Sequence, residues 1–313
     1  MAGTKEIKTH IESVKDTKKI TNAMYLISST KLRKARADLD QVRPYFDALQ
    51  AEIKRIFRTV QDVESPFFYP VDHDTNPLDG TFGCLVITAD KGLAGAYNQN
   101  VLKQAEKMLQ EHPDTTLYVV GEYGRHFFAQ RGIHIKKSFL YTAQNPTMDR
   151  AREITDILLE EYVQGKVKKI FIIYTDLKSS LASEANVTRL LPFHRSHFDA
   201  PAPGEKAFTE PIEFVPSVEA VLNNVMRSYI SGFIYSALID SFCSEQNARM
   251  TAMDAANQNA EKLLQELSLE YNRVRQAAIT QEITEVSAGA KAQKAQRMKK
   301  KRQQGKEKEV CTN

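Results

Sequence analysis

Few residues of this chain are spaced to do chemistry. After an apolar run ending at Thr88 comes Ala89-Asp90-Lys91-Gly92-Leu93-Ala94-Gly95, a glycine-bearing loop whose backbone amides could cradle a phosphate at a helix start. It has neither the Walker spacing nor a GxGxxG, and a tight turn from strand to helix accounts for both glycines. His194 and His197 stand three apart, a spacing that lets two imidazoles on one helical turn share a metal, but a proline flanks them and a third ligand is missing. No GxSxG, HExxH or CxxC occurs. Cys84, Cys243 and Cys311 are too scattered for a metal cluster or a disulfide framework, and read as reduced thiols. The expectation is no catalytic site, no metal, no cofactor, and no enzyme activity of the chain by itself.

Charge is the next candidate for recognition. Lys15, Lys18, Lys19, Lys31, Arg33, Lys34 and Arg36 face only Asp16 in one stretch, which is either a solvated helix face or a surface that meets an acidic partner. The net charge of +4 is uneven: residues 291–313 carry nine Lys/Arg against Glu307 and Glu309, leaving the preceding chain at −3. Ala252, Ala255, Ala256 and Ala260 suit close helix approach, and Met24, Met250 and Met253 suit packing or a sliding surface.

The elements that position these residues are two rods and a head. Ile7, Ile11, Val14, Lys18, Thr21, Tyr25, Ser28, Leu32, Ala35, Leu39, Val42, Phe46, Leu49, Ile53, Ile56 and Val60 step in 4,3 alternation, the spacing of a coiled-coil seam. No proline occurs after Pro216, and Met253, Ala256, Ala260, Leu263, Leu267, Tyr271, Val274 and Ala278 make a second seam. At 1.5 Å per residue, Lys5–Val60 extends roughly 84 Å and Ser217–Ala288 roughly 108 Å. Each would expose an apolar stripe too long for a soluble monomer, so the two are expected to pack antiparallel. Thr4 reads as the N-cap of the first helix, and Pro44 as a kink or register shift within it.

Between the rods the period changes. Phe82–Thr88, Leu117–Gly121 and Lys169–Thr175 read as strands, with Ala185–Pro192 a candidate for a further one. Asn98–Glu111, Glu122–Arg131 and Ala151–Val163 read as helices, and this alternation implies a mostly parallel sheet. The expected fold is therefore α/β: a long antiparallel coiled coil of the N- and C-terminal helices plus a central Rossmann-like domain. The expected boundaries are an N-terminal coiled-coil helix over 1–62, a proline-rich connector over 63–80, a globular α/β domain over 81–211, a C-terminal coiled-coil helix over 212–290, and a basic disordered tail over 291–313. No apolar run approaches the ~20 residues of a membrane span, and the start MAGTKEIKTHI lacks a signal peptide's apolar segment.

Tyr271-Asn272-Arg273-Val274-Arg275-Gln276-Ala277-Ala278-Ile279-Thr280-Gln281-Glu282, continued by Glu285, Gly289 and Ala290, resembles the signature of the F-type ATP synthase gamma subunit. Lys5-Glu6-Ile7, Lys19-Ile20-Thr21-Asn22-Ala23-Met24, Thr88-Ala89-Asp90-Lys91-Gly92-Leu93 and Ser244-Glu245-Gln246-Asn247-Ala248-Arg249-Met250 agree with it too. The family likeness implies a central rotor coupling c-ring rotation to ATP synthesis or hydrolysis at catalytic sites on other subunits. The implied partners are three alpha and three beta subunits, epsilon and the c-ring, with no nucleic acid and no direct membrane insertion. The implied location is the cytoplasmic face of a bacterial cell membrane, since no transit segment or chloroplast-type cysteine pair is present. By the same likeness Met24, Arg249, Arg275, Gln276, Thr280 and Glu282 match rotor–stator contacts, and Ile212, Glu213 and Phe214 fall in the foot on the ring and epsilon. Lys91, Ala94 and Ala96 stand where the family loop has arginine, cysteine and glycine. Two other classes share single features: a chromosome-organising tether, which needs longer arms and terminal nucleotide-binding halves, and a nucleic-acid binder, which would rest on the basic tail alone.

Overall fold

A computed structural model describes residues 2–60, 63–69, 80–140, 142–177, 183–195, 198 and 213–310, with side chains from residue 4 to residue 298. In chain order the elements are α1 (Ala2–Thr59), β1 (Phe82–Ile87), α2 (Tyr97–Glu111), β2 (Thr116–Val120), α3 (Glu122–Gln130), β3 (Ile135–Phe139), α4 (Met148–Val163), β4 (Lys169–Leu177), β5 (Ser183–Leu191) and α5 (Val218–Val310). Met24–Met253 form one compact unit, and the part of α1 up to Ala23 with the part of α5 from Asp254 forms another.

In the larger unit the strands form one sheet in the order β3-β2-β1-β4-β5, parallel except for β5. Strand β1 lies at the centre, and the alternation of its side chains assigns them to two cores. Cys84 and Val86 join Val101, Leu102 and Phe128 of α2 and α3. Leu85 and Ile87 join Ile154 and Leu158 of α4, Ile53 and Ile56 of α1, and Leu222, Met226, Ile230 and Ile234 of α5. The sheet thus has helices on both faces, the arrangement that makes its central strands apolar throughout. Strand β3 escapes the hydropathy pattern because its segment IKKSF is an edge strand with two lysines, the charge that edges carry against unwanted pairing.

All sixteen seam positions from Ile7 to Val60 are buried or half-buried while most of their neighbours are exposed. The period passes Pro44 undisturbed, contrary to the expected shift: α1 is one helix there, with Val42 and Phe46 still turned inward. Pro44 and Asp40 lie on the exposed face, so the carbonyl deprived of its donor is within reach of water rather than buried. The helix starts at Ala2 instead of after Thr4, a difference on the scale of helix fraying. Opposite Phe46, a Cβ on Gly232 would come within 1.7 Å of the ring, so only glycine lets the aromatic lie against the α5 backbone.

In the smaller unit Lys18 bonds Glu261 at 2.9 Å and the Thr21 hydroxyl bonds Asn257. One number rises as the other falls, so the helices run antiparallel. These contacts correct the second seam. Met253, Asn257, Ala260, Leu264, Leu267, Tyr271, Val274 and Ala278 are buried or half-buried in a strict 4,3 alternation; the expected Ala256 is half-buried beside Asn257, and Leu264 replaces Leu263, which is 37% exposed. A polar residue at a seam position is invisible to hydropathy yet fixes register, because Asn257 finds its partner only where Thr21 stands opposite.

The segment expected to be a disordered tail continues α5 through Val310. Its lysines, arginines, glutamines and alanines are strong helix formers, and Gly305 is the one weak residue before Val310. Poverty in apolar residues denies a segment a core, but it does not forbid a helix that another helix has already nucleated. No described helix is long and apolar enough to cross a membrane.

Asp240 of α5 is largely buried near Asp176 of β4, with Arg43 of α1 as the opposing charge. Burial first, and Asp176 second, push its carboxyl from 3.8 up to about 6. The fold therefore favours the protonated form: the stability it contributes is full below pH 4 and is lost as pH rises through 6. Asp240→Asn, always neutral, should unfold at higher urea than the parent at pH 7, by about 2–3 kcal/mol, with the two converging towards pH 4. Unfolding curves that stay parallel from pH 4 to 8 would refute this.

Candidate functional site: a closed crevice and an exposed rod

A doubly wound sheet binds ligands beyond the carboxyl ends of the strands where the order reverses. Here that point lies between β1 and β4, and the loop after β1 is the glycine-bearing segment 88–95. The chain fills this crevice itself. Beyond the last β1–β4 pair, Val86 with Ile173, β4 has lost its neighbour on that side and pairs only with β5. The Thr175 amide donates to Ser241 Oγ at 3.2 Å, and Ser244 Oγ donates to the Thr175 carbonyl at 3.4 Å. Two α5 serines, three apart on one helix face, thus replace the missing strand. Tyr97 at the start of α2 is buried beside them, and burial holds its phenol well above the ordinary range.

The loop is held in the same way. The Arg249 guanidinium donates to the Gly92 carbonyl at 3.1 Å and to Glu245 Oε1 at 2.7 Å, with both side chains about nine-tenths buried. Burial raises the Glu245 pKa and Arg249 opposes that rise, while Asp90 adds to it. Asp90 Oδ1 accepts from the Glu122 amide at 3.0 Å at the start of α3, and its Oδ2 is buried with no hydrogen-bonding partner among the described residues. That helix N-terminus is where a phosphate would bind, and the chain's own carboxylate occupies it. A tight turn, not a nucleotide cradle, is what the loop builds. Thr88 Oγ1 donates to the Val120 carbonyl and accepts from the Gly124 amide, fastening the turn to β2 and α3. At Gly121, with φ of 97°, a Cβ would lie 2.3 Å from the Thr88 carbonyl oxygen, so the close approach also demands glycine.

Outside the clamp lies a shallow cavity of about 240 Å³ whose lining includes Met24, Ile27, Lys31, Leu93 and Arg249. Ile27 and Leu93 are 56% and 66% exposed, giving this face an apolar patch beside lysines. The structure so brings Met24 and Arg249 together, both named by resemblance. Arg249 is committed within the chain, whereas Met24 is half-buried.

Arg275, Gln276, Thr280 and Glu282 lie on the other unit and are all exposed at its surface. Thr280 Oγ1 donates to the Gln276 carbonyl at 2.9 Å, leaving the Arg275, Gln276 and Glu282 side-chain groups directed to solvent. Ile279, Ile283 and Val286 add an exposed apolar stripe at helical spacing, 43%, 64% and 72% accessible. In the foot, Phe214 packs on the core and Glu213 is exposed, while Ile212 lies outside the described residues. His194 stacks on Tyr69 at 4.6 Å between centroids, and His197 lies outside the described residues. Cys84 and Cys243 are buried free thiols, and burial raises both, Cys243 to about 12. Sequence reasoning missed Glu245, Ser241, Ser244 and Asp240. The pairing of Glu245 and Arg249 at i,i+4 was the one signal that could have exposed the clamp.

Comparison with known proteins agrees with this architecture. A family model described as ATP synthase matches residues 3–293. The ATP synthase gamma chain of Ruminiclostridium cellulolyticum is 40% identical over 290 residues, covering 92% of this chain and 98% of the relative. That of Caldanaerobacter subterraneus subsp. tengcongensis is 41% identical over 295 residues, covering 92% and 99%. Among solved structures, the central stalk and c-ring of the Tetrahymena thermophila mitochondrial ATP synthase contains a chain of the same fold, with a TM-score of 0.55, 22% identity, and coverage of 76% of this chain and 99% of that one. A chain of the Euglena gracilis mitochondrial enzyme matches at a TM-score of 0.54, 16% identity, and coverage of 88% and 96%. With paired rods, a sheet whose ligand crevice is sealed from within, and relatives matched along nearly their whole length, the chain belongs to the ATP synthase gamma chain family.

Proposed function

We propose that this chain turns as the central-stalk rotor of an F-type, proton-translocating ATP synthase, coupling c-ring rotation to the catalytic sites of three alpha and three beta subunits. The observation that carries this reading is the pair of antiparallel helices with unlike faces, joined to a sheet whose crevice the chain has closed. The rods carry different side chains around their circumference, so three like sites in a ring would each meet a different surface at any instant. Turning then biases each site through a different conformation by differential contact, with no chemistry on the rotor. Met24 beside the clamp, and Arg275, Gln276, Thr280 and Glu282 on the exposed end of the rod, are the groups proposed to touch the beta subunits. Arg249 serves that contact by holding the Gly92 loop beneath it. The foot around Ile212, Glu213 and Phe214 is proposed to meet epsilon and the c-ring, which places the chain peripherally on the cytoplasmic face of a bacterial membrane.

Reconstitution tests the reading. Purified chain added to alpha and beta subunits should co-elute at one copy per three pairs and raise ATP hydrolysis. A chain that stays free of the ring, or joins it in three copies, would contradict a single shaft.

A further inference from the structure

The part of the chain that this function leaves unused is its end. The family match stops at residue 293, and relatives covered over 98–100% of their own length leave 6–8% of this chain unmatched. Past the matched region α5 continues to Val310, advancing roughly 30 Å from Lys291 at 1.5 Å per residue. Lys291, Lys294, Arg297, Lys299, Lys300, Lys301, Arg302, Lys306 and Lys308 oppose Glu307 and Glu309 there, and Met298 and Val310 are the only large apolar residues. Residues 291–298 are all exposed. Such a helix has nothing to bury and much positive charge to neutralise.

On the rotor reading just given, we infer that this basic helix is an electrostatic contact with an acidic protein surface of the stator ring around the rod's end. The chemistry suits a turning part. A hydrogen-bonded or apolar contact fixes one geometry, whereas many lysines and arginines on a helix attract carboxylates without fixed orientation. Each angular position of the rod therefore finds partners, and the attraction resists departure from each in turn. The contact acts as a brake set by ionic strength, because the screening length falls from about 30 Å at 0.01 M salt to about 8 Å at 0.15 M.

The test uses the assembled, nuclease-treated complex with three forms of the chain: full length, truncated after Gln293, and full length with the basic residues from Lys294 to Lys308 replaced by glutamine. Hydrolysis by both altered complexes should exceed that of the parent about twofold at 10 mM salt, with the three rates converging by 300 mM, as expected of a few exposed ion pairs. Equal rates at both salts would overturn the inference, as would a change that persists at high salt or one that appears only before nuclease treatment. Directed rotation of a bead on the chain in all three complexes would uphold the rotor reading whichever way the salt comparison falls, and its absence would sink that reading, so the two can fail separately.

Discussion

Replacing Arg249 with alanine should destabilise the isolated chain by about 3–5 kcal/mol, because it leaves the Glu245 carboxylate buried without its ion-pair partner, held only by the Gln246 amide at 3.3 Å, and frees the Gly92 carbonyl. Removing both charges at once, with Glu245→Gln and Arg249→Met, should recover most of that loss, since a neutral pair of similar volume has no ion left to desolvate. Denaturant unfolding of the three chains measures both numbers. A single alanine variant within about 0.5 kcal/mol of the parent, the range of ordinary surface substitutions, would mean that the clamp does not hold the loop. The same variant also separates two roles for Arg249. If the guanidinium acts by supporting the loop, the double replacement restores hydrolysis in the complex along with stability; if it must touch the stator, stability returns and hydrolysis does not.

The second large effect is expected at the opposite extreme of burial. Arg275→Ala with Gln276→Ala should leave the unfolding of the isolated chain unchanged, because both side chains are exposed and the helix they leave gains good helix formers. In the assembled complex the same pair should cut ATP hydrolysis roughly tenfold or more, since a hydrogen bond to a charged group desolvated at the interface is worth about 1.5–3 kcal/mol. The contrast is diagnostic: Arg249 is read out in the chain alone, Arg275 and Gln276 only in the complex. Parent-like turnover by a fully assembled double variant would remove these two residues from the contact.

The rods and the parallel sheet were legible because both depend on period. Sixteen positions at 4,3 spacing survive a proline whose place on the helix was not legible, since the cost of Pro44 depends on which way the Asp40 carbonyl faces. Strand β3 was hidden because its role as an edge replaces apolar residues with lysines. Asn257 was hidden because hydropathy takes a polar residue for a surface one, although its value lies in meeting Thr21. The closed crevice was the least legible part: Arg249 lies well over a hundred residues from Gly92, Ser241 and Ser244 are far along the chain from Thr175, and only the packing of α5 on the sheet brings them together. The loop 88–95 offered glycines and an acid, and only the structure shows that Asp90 spends its charge on the N-terminus of α3.

Rotation itself is the most direct measurement. With the ring of alpha and beta subunits fixed to a surface and a bead attached at an introduced cysteine near Lys107, exposed on α2, ATP should drive turning in one direction with three pauses per revolution, one for each beta subunit. A complex that hydrolyses ATP at its full rate while the bead stays still, or only fluctuates without direction, would contradict the assignment of this chain as the rotor.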